Sequence, residues 1–347
     1  MDIMKTLPAP FTKGVNFTNW LEYRPAEEIN ADMFTRADFV NAQALGCDVI
    51  RLPIHFERMC RVEDGYRIPQ KILGILDNVA AWAEELGMYV IFDFHNNCAA
   101  DSVTPDNIED VLTPIWTQLA SRYKDATDKL VFEIMNEPHA IAIEKWNGII
   151  ERVFRVIREI DRKHWIIVGG ADWNSTAAMK TLPDFHDDKV IYTFHFYDPH
   201  TFTHQGAGWT HVKRLLGIPF PYDPARMPDP PADATEEELG FLWNYPRVGT
   251  LEAVESCFDQ YAAFSRERNA PVFCGEFGCF MSVPDAERVN WYRIVTALLA
   301  ERGIARTSWD YYGTFGIFGR GQRGVRPRFP EDLNRPLLEA LGLNADV

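Results

Sequence analysis

A single (β/α)8 TIM-type barrel of the α/β class, with a long insertion after strand 6, is the fold the sequence predicts. Three observations carry it. Short apolar, β-branched runs recur eight times in 347 residues. Helical-period segments separate most of them, the alternation expected of parallel βαβ units. Polar residues gather where the runs end, and the C-terminal end of a barrel strand is the reactive one.

The first run is 14–17 (GVNF), with a helical segment at 36–46. The second, 48–54 (DVIRLPI), leads into 70–87, whose AEELG ending makes Gly87 a C-cap before 89–95 (YVIFDFH). Helical 106–123, the run 130–137 (LVFEIMNE), helical 141–161 and the run 164–170 (HWIIVGG) follow. The sixth run, 190–197 (VIYTFHFY), gives way to an irregular Pro-, Trp- and Tyr-rich stretch at 198–248, then helical 249–269. The runs 271–277 (PVFCGEF) and 305–312 (ARTSWDYY), with helical 284–302 between them, complete the set. No low-complexity linker divides the chain, so 1–347 reads as one domain. An insertion after a strand lies on the reactive face, which makes 198–248 the wall of a binding cleft.

Composition excludes several classes. A net charge of −15 repels nucleic acid and anionic membranes, so neither is an expected partner. No stretch reaches the ~18 apolar residues of a membrane span. The start, MDIMKTLPAPFTKG, lacks the ~7–15-residue apolar core of a signal peptide. The expectation is a cytoplasmic protein, or a secreted one whose leader has been removed. Cys47, Cys60, Cys98, Cys257, Cys274 and Cys279 show no CxxC pair or Cys/His cluster and read as mostly buried free thiols.

Arg51, His95, Asn136, Glu137, His195, Tyr197, Glu276 and Trp309 all fall at the ends of runs. Singly, each has a bland reading as an ion-pair partner, a core histidine or a loop start. Together, two glutamates, an arginine and two histidines converging on one barrel mouth are costly unless they are used, because buried charges need partners. Two carboxylates flanking one bond are what glycoside hydrolysis requires: one protonated for the leaving oxygen, one ionised for the anomeric carbon or a water. Strands four and seven face each other across an eight-stranded ring. Glu133 shares parity with Glu137 but lies deeper, and reads as a structural carboxylate.

Arg51 in IRLP, His95 in DFHNN, Asn136-Glu137 in NEP, His195 and Tyr197 in FHFY, Glu276 in GEFG and Trp309 in SW resemble glycoside hydrolase family 5. The likeness runs from about residue 14 to 312, in that family's order. It implies a retaining, cellulase-like enzyme with Glu137 as acid/base and Glu276 as nucleophile. Asn136 would bind the sugar 2-hydroxyl, His195 would orient the acid or bind the sugar, and His95 would line the cleaved-sugar subsite. Trp309 would be the floor under that sugar, followed by a cis peptide. Arg51 and Tyr197 would keep Glu276 ionised. No metal and no cofactor is implied.

GVNFTNWLEY departs from the family's usual Gly-Trp-Asn-Leu-Gly-Asn stretch through Trp20 and Glu22. Trp173, which directly follows the fifth run, is the leading candidate for a sugar-stacking platform; Trp20, Trp209, Trp243 and Tyr245 are further candidates. The expected substrate is a β-1,4-glucan cleaved internally by a monomer. Mannan, mixed-linkage glucan, xyloglucan, xylan and exo-glucosidase action are the alternatives. A metal hydrolase using Asp93, His95, His195 and His200 is the first rival, weakened by the lack of a His-x-His pair on the first strand. A binding protein without catalysis is the second, weakened by the presence of both glutamates.

Overall fold

A computed structural model describes residues 3–96, 102–319 and 326–347. Its strands are β1 Lys13–Asn16, β2 Val49–Ile54, β3 Tyr89–Phe94, β4 Leu130–Glu133, β5 Trp165–Gly169, β6 Val190–Phe196, β7 Val272–Phe277 and β8 Ala305–Ser308. They pair in sequence order, and β1 pairs with β8 to close the barrel. Strands buried on both faces need near-continuous apolar runs. VIRLPI in β2 is buried at every position.

Period two along each strand sorts the barrel interior into layers. At the bottom, Val49, Ile91, Val131, Ile167, Ile191, Phe273 and Ala305 pack together, with Phe11 joining them from ahead of β1. Two residues further up, the same parity gives Arg51, Asp93, Glu133, Thr193 and Thr307, all buried and all polar. Two residues above these come His95, His195 and Trp309.

Helices Arg36–Ala44, Gln70–Leu86, Glu109–Tyr123, Ile143–Ile160, Leu251–Arg268 and Asp285–Glu301 cover the outside. Their limits are set locally. Thr35 and Asp38 form a capping box, and Gly87 ends its helix at φ 64°. Ile72, Leu76, Val79 and Ala83 make the buried stripe of Gln70–Leu86. Burying one such Ile or Leu contributes roughly 1.5–3 kcal/mol.

Several expectations change. The fourth ladder stops at Glu133, not at 137. Beyond it the backbone bonds to each neighbour in turn, Ile134 N–H to Ile167 O and Asn136 N–H to Phe94 O. No long helix follows β5 among the described residues, only the short Ala171–Asn174 and Thr176–Met179. The 198–248 stretch is not wholly irregular, because Glu236–Val248 is a helix. A capping box of Thr235 and Glu238 starts that helix, and the TEEE sequence there was its visible signal. Trp20 and Tyr245 are buried, their polar atoms donating to Asn30 O and Pro219 O, so neither is a platform. Cys47, Cys60, Cys274 and Cys279 are buried free thiols and Cys257 is a half-buried one, whereas Cys98 lies outside the described residues. No described helix is long and apolar enough to cross a membrane.

Candidate active site

Arg51 is the centre of the polar layer and is fully buried. Its Nε and Nη2 donate to both oxygens of Glu133, at 2.7 and 2.9 Å. Nη1 donates to Glu276 Oε1 at 2.7 Å and to Asn16 Oδ1 at 3.0 Å. Nη2 also donates to Asn136 Oδ1 at 2.8 Å and lies 3.0 Å from Asp93. Burial works against the guanidinium charge, but Asp93, Glu133 and Glu276 together outweigh it and hold Arg51 well above its ordinary value. Burial drives Glu133 up, and Asp93 up to about 7 despite the pull of Arg51. Glu133 is thus the structural carboxylate expected from its depth.

Glu276 sits on β7 and its place depends on an irregularity. Phe194 pairs with Cys274 but His195 pairs with Glu276, so Gly275 is an extra residue and β7 is bulged. Bulges re-aim side chains and recur beside active sites. The Gly275 carbonyl accepts from Asn16 Nδ2 at 3.1 Å and Thr307 Oγ1 at 2.6 Å. A side chain at 275 would bring Cβ to 3.0 Å from both His195 Nε2 and Thr193 Oγ1, so only glycine fits without displacing them. Tyr197, one residue beyond β6, donates its hydroxyl to Glu276 Oε2 at 2.8 Å. Burial first, then the charge of Glu276, keeps that phenol far above its ordinary value and therefore a donor.

Glu137 lies four residues past the end of β4, at φ 37°. Its Oε1 is 2.6 Å from His195 Nδ1, and the same nitrogen is 3.7 Å from Glu276. Burial lowers His195 to about 4, so a neutral imidazole stands between the two carboxyls. One carboxyl oxygen each of Glu137 and Glu276 and one ring nitrogen of His195 lie within 4.8 Å of one another. Carboxyl groups ~5–5.5 Å apart suit a covalent intermediate; ~6.5–9.5 Å leaves room for a water.

The remaining predicted residues gather around this pair, one of them indirectly. Asn136 is tied to Arg51 and, at 3.4 Å, to Asn96. His95 Nδ1 donates to Asp93 at 2.7 Å, and burial lowers this imidazole to about 4 as well. Its ring stacks against half-buried Trp309 at 5.7 Å and 14°. The Trp309–Asp310 peptide is cis, as the likeness implied. Trp173 reaches the site through His139, against which it stacks at 3.7 Å and 9°. His139 and Gly275 were both missed in the sequence. Gly275 carried a legible hint, a glycine inside an apolar run, which often marks a bulge.

A closed parallel barrel with two near glutamates and an arginine at its open end is the architecture of a barrel glycoside hydrolase. The chain belongs to glycosyl hydrolase family 5: the sequence profile of that family, described as Cellulase (glycosyl hydrolase family 5), matches residues 13–314. Endoglucanase 3 of Fibrobacter succinogenes is 28% identical over 339 residues, covering 89% of this chain and 51% of that protein. Endoglucanase C of Acetivibrio thermocellus is 26% identical over 325 residues, covering 87% of this chain and 91% of its own. The chain therefore spans about half of the first relative and nearly all of the second. The endoglucanase Cel5A of the hyperthermophile Thermotoga maritima superposes with a TM-score of 0.76 at 26% identity, covering 95% of this chain and 96% of that one. That enzyme has structures with cellobiose and with mannotriose.

Proposed function

We propose that the chain is a retaining endo-β-1,4-glucanase in which Glu276 is the nucleophile and Glu137 the general acid/base. The observation that carries the proposal is the pairing of Glu137 and Glu276 oxygens within 4.8 Å, with His195 between them. That separation falls on the retaining side. Arg51 and the Tyr197 hydroxyl both donate to Glu276, which favours its ionised form and places it to attack the anomeric carbon. Glu137 Oε1 lies 2.6 Å from His195 Nδ1, a neutral imidazole that can steady a group which must hold a proton and then return it. In the first step Glu276 bonds to the anomeric carbon as Glu137 protonates the departing oxygen. In the second, Glu137 takes a proton from water, which displaces Glu276. Trp309 offers a ring face to the sugar's C–H face. The whole chain acts as one catalytic barrel, and 198–248 forms a wall of its cleft.

The test is product analysis on cellulose derivatives, mixed-linkage glucan, mannan, xyloglucan and xylan, with Glu276→Ala as the blank. Proton NMR during the first turnovers should show the β-anomer appearing first and internal cleavage of β-1,4-glucan. An α-anomer first would refute retention. Preferred cleavage of mannan would move the substrate, not the mechanism. Activity lost to EDTA and restored by zinc would overturn the two-glutamate reading.

A further inference from the structure

Glu137 adopts φ 37° and Ala140 φ 52°, so the turn carrying the proposed acid has left-handed residues at both ends and a proline between them. Non-glycine residues rarely sit there, and such backbone persists only where its surroundings hold it. The surroundings here converge on one buried side chain. His139 is 1% exposed, and its Nδ1 donates to the carbonyl of Glu137 itself at 2.7 Å. A carbonyl can only accept, so Nδ1 carries the proton and Nε2 accepts from the Ser102 hydroxyl at 2.9 Å. The backbone of His139 exchanges two hydrogen bonds with Thr104, its N–H to Oγ1 and its carbonyl from the Thr104 N–H, both 3.0 Å.

The ring face is fixed as well. Trp173 lies flat on His139 at 3.7 Å, and its backbone N–H donates to Pro138 O at 3.1 Å. Trp173 is held in turn by three consecutive left-handed residues, Asp172, Trp173 and Asn174, at φ 62°, 60° and 53°. That turn needs the glycines before it: a Cβ at Gly169 would stand 2.3 Å from the Asn174 side chain, and one at Gly170 would stand 2.6 Å from the Ala178 backbone.

We infer that His139 and Trp173 are positioning residues that clamp the left-handed turn of Glu137, and so set where the acid delivers its proton. One face of Trp173 is then occupied by protein, and its first role is to hold the acid rather than to bind sugar. The inference rests on Glu137 being the acid, and the experiment separates the two. An aryl β-cellobioside with a dinitrophenolate leaving group needs no protonation, whereas a cello-oligosaccharide does.

His139→Ala and Trp173→Ala should each lower kcat/KM on cello-oligosaccharide by about 10²-fold, the scale of a 1 Å misplacement, and on the dinitrophenyl substrate by less than about threefold. His139→Asn keeps a donor near the Nδ1 position and Trp173→Phe keeps the stack, so both should recover most of the loss. Equal losses on the two substrates, or no loss on either, would overturn the clamp. The melting temperature of each variant guards against general unfolding, because that lowers both activities together. Glu137→Ala with no leaving-group dependence would remove the acid assignment and the clamp with it.

Discussion

The two glutamates at the barrel mouth are held in opposite ways. Glu276 lies within a ladder strand, and its side chain is fixed by charge and hydrogen bonds from Arg51 and Tyr197. Glu137 lies outside any ladder, and its backbone is held in a left-handed turn by packing and by His139. The contrast fits the chemistry proposed for the two residues. A nucleophile must stay ionised at one place, which donors and a cation achieve. An acid/base must change charge twice per cycle, and a fixed cation beside it would oppose the protonated form. The proposed acid is thus aimed through its backbone as well as by the 2.6 Å contact of its carboxyl with His195.

Substitutions should separate these two supports. The largest effect is expected from Glu276→Ala, which should remove at least about 10⁴-fold in kcat on every substrate regardless of leaving group. Glu137→Ala should cost about 10²–10⁴-fold on unactivated substrates and far less on dinitrophenyl glycosides. Steady-state kinetics on the paired substrates would show whether the asymmetry is real.

Arg51→Met should strike only the charged side. It leaves Glu133, Asp93 and Glu276 buried around no cation, a loss of about 3–5 kcal/mol in stability that urea unfolding would measure. A change below about 1 kcal/mol would mean the arginine is not what holds the polar layer together.

Tyr197→Phe removes one donor from the ionised form of Glu276. It should lower kcat/KM about tenfold, near 1.4 kcal/mol. An unchanged kcat/KM would detach Tyr197 from Glu276.

The smallest effect concerns the support behind Tyr197. Thr203 donates its hydroxyl to Tyr197 O and lies 3.0 Å from His204 Nδ1, while the His204 ring meets the Tyr197 ring edge-on at 5.0 Å. Burial, then neighbouring His200, holds His204 well below the usual imidazole range. A depressed histidine gives stability that is present above its unfolded value near 6.5 and is lost as pH falls toward the folded value. Between pH 7 and about 5.7 the parent should therefore lose about 1 kcal/mol that His204→Phe does not. Calorimetry of both proteins across that range would check the sign.

Much of the site was legible because it obeys strand parity. Arg51, His95, His195 and Trp309 follow the alternation of successive side chains along apolar runs, whereas Glu276 reaches the same mouth only through the bulge at Gly275. Glu137 was read as the end of its apolar run, although its ladder had already ended at Glu133. Trp20 and Trp173 show the limit from another side. Both follow a strand and both look like platforms, yet one is buried against a loop and the other lies on a histidine. Which face of an aromatic ring is free depends on chain segments distant in sequence.

The sequence by itself determined the eight-unit alternation, the layered interior and the chemistry of the strand ends, because these follow from local periodicity and from the cost of burying charge without a partner. Tertiary structure alone decided the bulge at Gly275, the left-handed turn at Glu137 and the distance between the two carboxyls. Those depend on how the barrel closes: the register of β6 against β7 and the packing of 102–104 and 173 onto 137–140 join residues far apart along the chain, and no local pattern encodes that closure.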